Sequence, residues 1–219
     1  MTIRGQFHNQ LDEIKQDIVD LANISEKALR VAIDALYNQD VSLANEVITN
    51  DKVIDKKEME INDKTTLLIA KQQPVATDLR RLIIALRIVT DIERMGDNAK
   101  NIAKATIHLG EDNLIKIPED LKQMRDLTLQ MLDTAMNAFK YEDISVARKL
   151  PELDDKVDKL YKTIVTELLS ETATDPNEIQ YVMQIAFTAR YLERFADHIT
   201  NIGESILFLV KGENVNLNY

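Results

Sequence analysis

Apolar residues recur at steps of three and four along almost the whole chain, the spacing that puts side chains on one face of an α-helix. Leu11, Ile14, Ile18, Leu21, Ala28 and Val31 form one such stripe and predict a helix over residues 6–37. After a turn at Asn38-Gln39, Asp40 stands where an N-cap belongs, because its carboxylate can accept from a free first-turn amide. It opens a second predicted helix, ending near residue 71. Pro74 opens a third that ends near residue 109, and Gly110 fits the C-cap position. Residues 111–117 read as the linker. Pro118 starts a fourth helix ending near residue 141, and Asp143 caps a fifth expected to continue to residue 171. Asp175-Pro176-Asn177-Glu178 combines a cap, a proline at the first helical position and an acid at the third. It starts a sixth helix that ends near residue 211, and the tail GENVNLNY is expected to fray.

Only 5 Gly and 4 Pro occur in 219 residues. So few breakers leave room for few turns, which excludes the many-stranded sandwich and the doubly wound sheet. Long helices joined by short turns make antiparallel bundles. The order of three long helices, a linker and three more predicts an all-α protein of two tandem, similar three-helix bundles. Residues 1–110 and 111–219 are the expected units.

The two units align with each other. NQDVSLA at Asn38–Ala44 matches YEDISVA at Tyr141–Ala147, and KVIDKKEMEI, ending at Ile61, matches DKVDKLYKTI, ending at Ile164; both offsets are 103. In the third helix of each unit the offset becomes 100: TDIERMGDNAKNIA (Thr90–Ala103) matches RYLERFADHITNIG (Arg190–Gly203). A loop between helices absorbs the three-residue change, so a duplicated unit is the economical reading.

The repeat gives weight to a set of carboxylates. Two acids at i and i+4 repel on a helix face, and a solvated acidic face explains any single pair. Four of the pairs, however, are repeated. Asp51/Asp55 maps onto Asp154/Asp158, and Glu93/Asp97 maps onto Glu193/Asp197. Asn101 and Asn201 extend the last two stripes by one more turn. Leu79, Leu82, Ile83, Leu86 and Val89 lie on the helix side that Glu93 and Asp97 continue. Ile179, Val182, Met183 and Ala186 do the same before Glu193 and Asp197. The acids are thus expected at the border of a helix contact, facing those of a second helix. Carboxylates gathered without a counterion are costly, and a cation such as Fe, Mn, Mg, Ca or Zn resolves the cost through oxygen ligands. The predicted ligand sets are Asp51, Asp55, Glu93, Asp97 and Asn101 in the first repeat, and Asp154, Asp158, Glu193, Asp197 and Asn201 in the second.

Charge and composition narrow the rest. With 27 Lys and Arg against 37 Asp and Glu the formal charge is −10, which disfavours nucleic acid as a partner. Cys is absent, so thiolate metal sites and disulfides are excluded. The N-terminal stretch lacks the apolar core of a secretory signal, and no run of about 18 apolar residues predicts a membrane span. The expected compartment is the cytoplasm. A ferritin-like di-iron enzyme needs Glu-x-x-His motifs, and none of His8, His108 or His198 completes one. His198 reads as a surface histidine. Arg80, Arg81 and Arg87 cluster on the third helix, as ion-pair partners or as an anion contact. Gly96/Ala196 and Ala103/Gly203 are small residues at matching places, suited to close helix approach.

The doubled motif, DIERMGDNAKNIA and YLERFADHITNIGE, with ATDLRRL ahead of the first copy, resembles the PhoU family over essentially the whole chain. That resemblance implies two similar three-helix bundles with metal clusters, iron or zinc, on the acidic motifs: Glu93, Asp97 and Asn101, and Glu193, Asp197 and Asn201. Asp51, Asp55, Asp154 and Asp158 match the family's facing acids. It also implies a non-catalytic cytoplasmic regulator, usually a homodimer, that helps repress phosphate-starvation genes. The implied partners are the ATPase subunit of the phosphate ABC transporter and the phosphate sensor histidine kinase. A relative serving another transporter or persistence, and a metal store or redox protein built on the carboxylates, are the alternatives. The second repeat lacks the Asp-Leu-Arg run, so a contact made by Arg80 is not expected to be duplicated.

Overall fold

The computed structural model describes residues 3–111, 117–172, 179–212 and 217. It is all-helical among these residues: α1 (Ile3–Asn38), α2 (Val41–Gln72), α3 (Ala76–Leu109), α4 (Asp120–Tyr141), the single turn α5 (Ile144–Ala147), α6 (Leu150–Thr172) and α7 (Ile179–Lys211). The expected start of the last helix at residues 175–178, most of the linker and most of the tail lie outside the described residues.

The predicted caps form. Asp40 accepts from the Leu43 amide at 2.8 Å, and its repeat partner Asp143 accepts from the Ser145 amide at 2.8 Å. Each follows a residue in the left-handed region, Gln39 at φ 53° and Glu142 at φ 53°. Gly110, at φ 78°, ends α3 and returns its amide to the Thr106 carbonyl. Pro74 and Pro118 each stand two residues before their helices rather than opening them.

One expected helix is broken. The run from Asp143 to residue 171 divides into α5 and α6, with Arg148 and Lys149 between them. Pro151 is the cause: it carries no amide hydrogen, and its ring would collide with the carbonyl one turn back, so it is tolerated only in the first turn of α6. In α1 the core face drifts from the predicted stripe. Leu11, Ile14, Ile18 and Leu21 are buried, but Leu29, Ala32 and Ile33 replace Ala28 and Val31, which border a groove toward α2.

α1, α2 and α3 pack on one another, and α4, α6 and α7 do the same, which gives the two expected bundles. They are not separately cored. α3 and α7 make the most extensive helix contact of the molecule, and a single buried cluster runs through both repeats. The two helices are antiparallel: Arg87, early in α3, lies over the Phe208 ring late in α7, and Asp91 meets His198 nearer the middle. The ends are pinned as well. Tyr37 donates to the Pro118 carbonyl. At the other end Arg81 holds Glu142 with two bonds of 2.9 Å, and Lys15 adds a third at 2.6 Å.

The small residues serve close approach as expected. A Cβ built on Gly96 would stand 2.7 Å from Cδ1 of Ile54, a side chain buried between α2 and α3. Gly96→Leu is therefore expected to cost about 1–3 kcal/mol by overpacking, read as a lower midpoint in urea with no change of slope.

Candidate functional site

The two acidic stripes lie on α3 and α7, at the level where these helices cross, and each faces acids of α2 or α6. Helix geometry explains the stripes: residues 93, 97 and 101, or 193, 197 and 201, fall on one face. Tertiary packing brings the second set. In the second repeat Asp154, Asp155, Asp158, Glu193 and Asp197 line one pocket of about 270 Å³, together with Pro151 and Leu217. In the first repeat Asp51 of α2 reaches the Asp97 region of α3 through a shared lysine, Lys100. Upstream, the stripe expectation holds for Leu82 and Val182 but not for Ile179 and Met183, which are exposed on α7.

The repeats differ in what neutralises these acids. In the first, Asp51 is only 5% exposed and accepts from Lys100, whose ammonium also contacts Asp97 at 3.1 Å. Arg94 reaches Asp97 at 3.2 Å and Glu93 at 3.3 Å. Burial pushes the Asp51 carboxyl up, and Lys100 pulls it back. The hydrogen bond to Asp51 pushes Lys100 up to about 12, so its charge persists at any physiological pH. Burial, then Asp97, raises Glu93.

In the second repeat the position of Lys100 is held by Thr200. Its hydroxyl donates to the Ala196 carbonyl at 3.4 Å and stands near Asp154, the repeat counterpart of Asp51, whose carboxyl it holds down in part. A hydroxyl brings no charge, and the acids titrate accordingly. Burial and then the Asp197 charge push Asp154 up to about 6 and Glu193 up to about 7. Burial and then Asp158 raise Asp197. Arg190 holds one Glu193 oxygen at 2.5 Å. The other, Oε2, is buried without a hydrogen-bond partner, and such a group is costly unless something else satisfies it.

These observations test whether the residues fit a metal ion. In the second repeat the all-oxygen donor set, the charge excess and the orphaned Glu193 Oε2 fit a hard or borderline cation. Among the described residues no three Asp, Glu or His side chains already converge to hold one ion, so binding requires these side chains to rotate. In the first repeat Lys100 stands among the acids, and they do not fit a second cation as they are.

Asn201 and His198 behave otherwise than expected. Asn201 donates to Asp91 Oδ1 at 3.2 Å, and His198 Nδ1 lies 3.0 Å from the same oxygen. Both tie α7 to α3, so His198 is a half-buried interface group rather than a surface one. Asn101 accepts from Lys104 at 3.3 Å. Of the arginines, Arg81 is an intramolecular partner of Glu142 and Asp78, and Arg87 stacks on Phe208. Sequence reasoning missed Asp91, Lys100, Thr200 and Glu142. Lys100 and Thr200 carried a readable signal: the offset of 100 aligns them, three residues after Asp97 and Asp197. Leu217 was missed too. Its amide donates to Glu204 at 2.8 Å, an anchor within the tail expected to fray.

The PhoU domain model matches residues 18–106 and again residues 121–206, one match per repeat. The chain is 35% identical over 216 residues to the phosphate-specific transport system accessory protein PhoU homolog of Clostridium acetobutylicum, covering 98% of this chain and 99% of the relative. It is 34% identical over 212 residues to the phosphate-specific transport system accessory protein PhoU of Escherichia coli K12, covering 97% of this chain and 88% of that protein. Among solved structures, the phosphate transport system regulatory protein PhoU from Streptococcus pneumoniae superposes with a TM-score of 0.89 at 32% identity, covering 95% of this chain and 99% of that one. PhoU from Pseudomonas aeruginosa does so with 0.88 at 31%, covering 94% and 100%. With both repeats matched, the doubled carboxylate motif in place and the whole fold shared, the chain belongs to the PhoU family.

Proposed function

We propose that this protein is an accessory regulator of phosphate transport that works in the cytoplasm by protein contact and not by catalysis. It restrains phosphate uptake and phosphate-starvation genes when phosphate is plentiful. Its partners are the ATPase subunit of the phosphate ABC transporter and the phosphate sensor histidine kinase, and its working unit is a homodimer. The observation that carries this reading is the match along 97% of the chain to the accessory protein of Escherichia coli. None of the described helices is long and apolar enough to cross a membrane, which suits action through membrane-bound partners.

The carboxylates give the reading its chemistry. Asp154, Asp158, Glu193 and Asp197 hold a cation, iron or zinc by preference and Mn or Mg in their place. A bound ion would offset the mutual repulsion of these side chains and fix α6 against α7. This protein's own residues do the rest: Arg190 orients Glu193, Thr200 stands beside Asp154 without adding charge, and Leu217 closes one wall. The face so fixed is the one a partner docks on.

A phosphate-starvation reporter in cells lacking the gene tests this. In high phosphate the reporter is expected to switch on, and the wild-type gene to silence it. Glu193→Gln/Asp197→Asn is expected to silence it poorly and to capture less ATPase subunit in a pull-down, at unchanged helicity. A reporter that stays off without the gene overturns the regulatory role; full capture by the folded variant overturns the part assigned to the carboxylates.

A further inference from the structure

The two repeats present the same four acids, yet they differ at the one place that decides what those acids can accept. Residue 100 and residue 200 occupy the same repeat position, beside the same repeat carboxylate: Lys100 pairs with Asp51, and Thr200, which donates to the Ala196 carbonyl, stands near Asp154. One neighbour is an ammonium and the other a hydroxyl. We propose that Lys100 is a built-in counterion standing where a bound cation would stand, so that each chain has one carboxylate cluster open to a metal ion, in the second repeat, and one closed by its own side chain.

Three observations carry this. First, the ammonium of Lys100 engages Asp51 and Asp97 together, one from α2 and one from α3. It therefore bridges the two helices as a cation would. A divalent ion entering there would have to displace an ammonium from a carboxylate only 5% exposed, or lie beside it as a like charge. Second, Arg94 also contacts Glu93 and the other Asp97 oxygen, but its side chain is 57% exposed, so among the described residues Lys100 is the one shielded cation on these acids. Of the four acids of the first repeat, three already have a cationic partner. Third, the second repeat has no such bridge. Asp197 makes no ion pair among the described residues, and Glu193 Oε2 is buried without a partner. The cations that are present, Arg190 on Glu193 and Lys162 on Asp158 at 3.5 Å, have side chains 47% and 74% exposed. They can swing into water at little cost, whereas Lys100 at 26% cannot do so without leaving Asp51 buried and unpaired.

A duplicated protein with two formally equal sites thus becomes asymmetric through one residue. The first repeat folds around its own charge and keeps its α2–α3 geometry whatever the metal supply. The second repeat is the one whose α6–α7 geometry responds to an ion. The inference rests on the cation reading proposed above and assigns it to one repeat.

The test is ion retention by the full chain, stripped with chelator, dialysed against Mn²⁺ and then Zn²⁺, and assayed for bound metal per chain. Melting curves are recorded with and without the ion. Glu193→Gln/Asp197→Asn is expected to abolish retention and the melting shift. Glu93→Gln/Asp97→Asn, placed on the border of α3, is expected to leave both unchanged. Lys100→Thr, which copies the second repeat, is expected to add retained metal in the Glu193→Gln/Asp197→Asn background. It should also melt lower than its parent in chelator and recover on adding Mn²⁺. Loss of retention in Glu93→Gln/Asp97→Asn equal to that in the second-repeat variant overturns the proposal. So does Lys100→Thr that gains neither metal nor an ion-dependent melting shift. If the wild type retains no ion, the cation reading of the second repeat falls, and Lys100→Thr still decides: a gain supports the counterion role and no gain overturns it.

Discussion

Phe195→Ala is expected to lower stability by about 3–5 kcal/mol, the usual cost of removing a fully buried aromatic side chain and leaving a cavity. Phe195 has no exposed surface and heads the largest fully buried side chains. It sits on α7, the helix that packs against both α3 and the second-repeat bundle. It also lies two residues from Glu193 and two from Asp197. Residues two apart on a helix point to roughly opposite sides, so Phe195 lies behind the acidic stripe, in the buried cluster that runs through both repeats. One cooperative transition is expected, shifted down by roughly 10 °C for a chain of this size. Because the buried cluster is continuous, the variant is expected to lose both repeats together. Two separated transitions in calorimetry, with only the second moved, would refute the shared core. The same variant should weaken ion retention in the second repeat, since the stripe loses its backing.

Glu142→Gln has the next largest expected effect, about 2–3 kcal/mol, and it is pH-dependent. Glu142 closes α4 in the left-handed region, and its carboxylate receives two bonds from Arg81 and one from Lys15. Arg81 is the first cause that holds it down, to about 2 from an ordinary 4.5. That difference of about 2.5 units corresponds to roughly 3 kcal/mol at most. The three side chains are 22%, 26% and 24% exposed, so solvent screens the contacts only in part. A depressed carboxyl stabilises the fold fully above its unfolded pKa and loses that contribution as pH falls through its folded one. The wild type should therefore lose stability between about pH 4.5 and 2. In Glu142→Gln that part of the acid limb should flatten. Asp154 and Glu193 act with the opposite sign in metal-free protein. Their folded values, about 6 and about 7, lie above the usual range. Protonation as the pH falls from 8 to 5 thus adds stability before the Glu142 loss begins. Urea unfolding across pH 2–8 reads both limbs. A variant with the wild-type acid limb would remove Glu142 from its assigned role.

Much of this was legible along the chain. Helical periodicity, two good aspartate caps and the scarcity of Gly and Pro specified long antiparallel helices, because these effects are local and act within one or two turns. The duplication was legible from its offsets, and it singled out Asp51, Asp55, Glu93, Asp97 and their four counterparts. What misled was also local: a proline inside a periodic run, Pro151, which splits the fifth helix, and Ile179 and Met183, which continue the stripe yet stand exposed on α7.

The sequence by itself determined which residues share a helix face, since the 3.6-residue turn leaves no choice once a helix forms. The tertiary structure alone decided which faces meet. The α3–α7 crossing puts Asp91 against Asn201 and His198, and the packing of α4 on α1 accompanies the contacts of its end, Glu142, with Lys15 and Arg81. Such pairings join residues 61 to 127 positions apart and depend on the register of whole helices, which every buried side chain sets together. The same register turns one lysine into the counterion of a buried aspartate and leaves its threonine counterpart beside an acidic pocket that only exposed cations, Arg190 and Lys162, offset. The repeat offset aligns Lys100 with Thr200, but what each residue meets is decided only where α2 packs on α3 and α6 on α7.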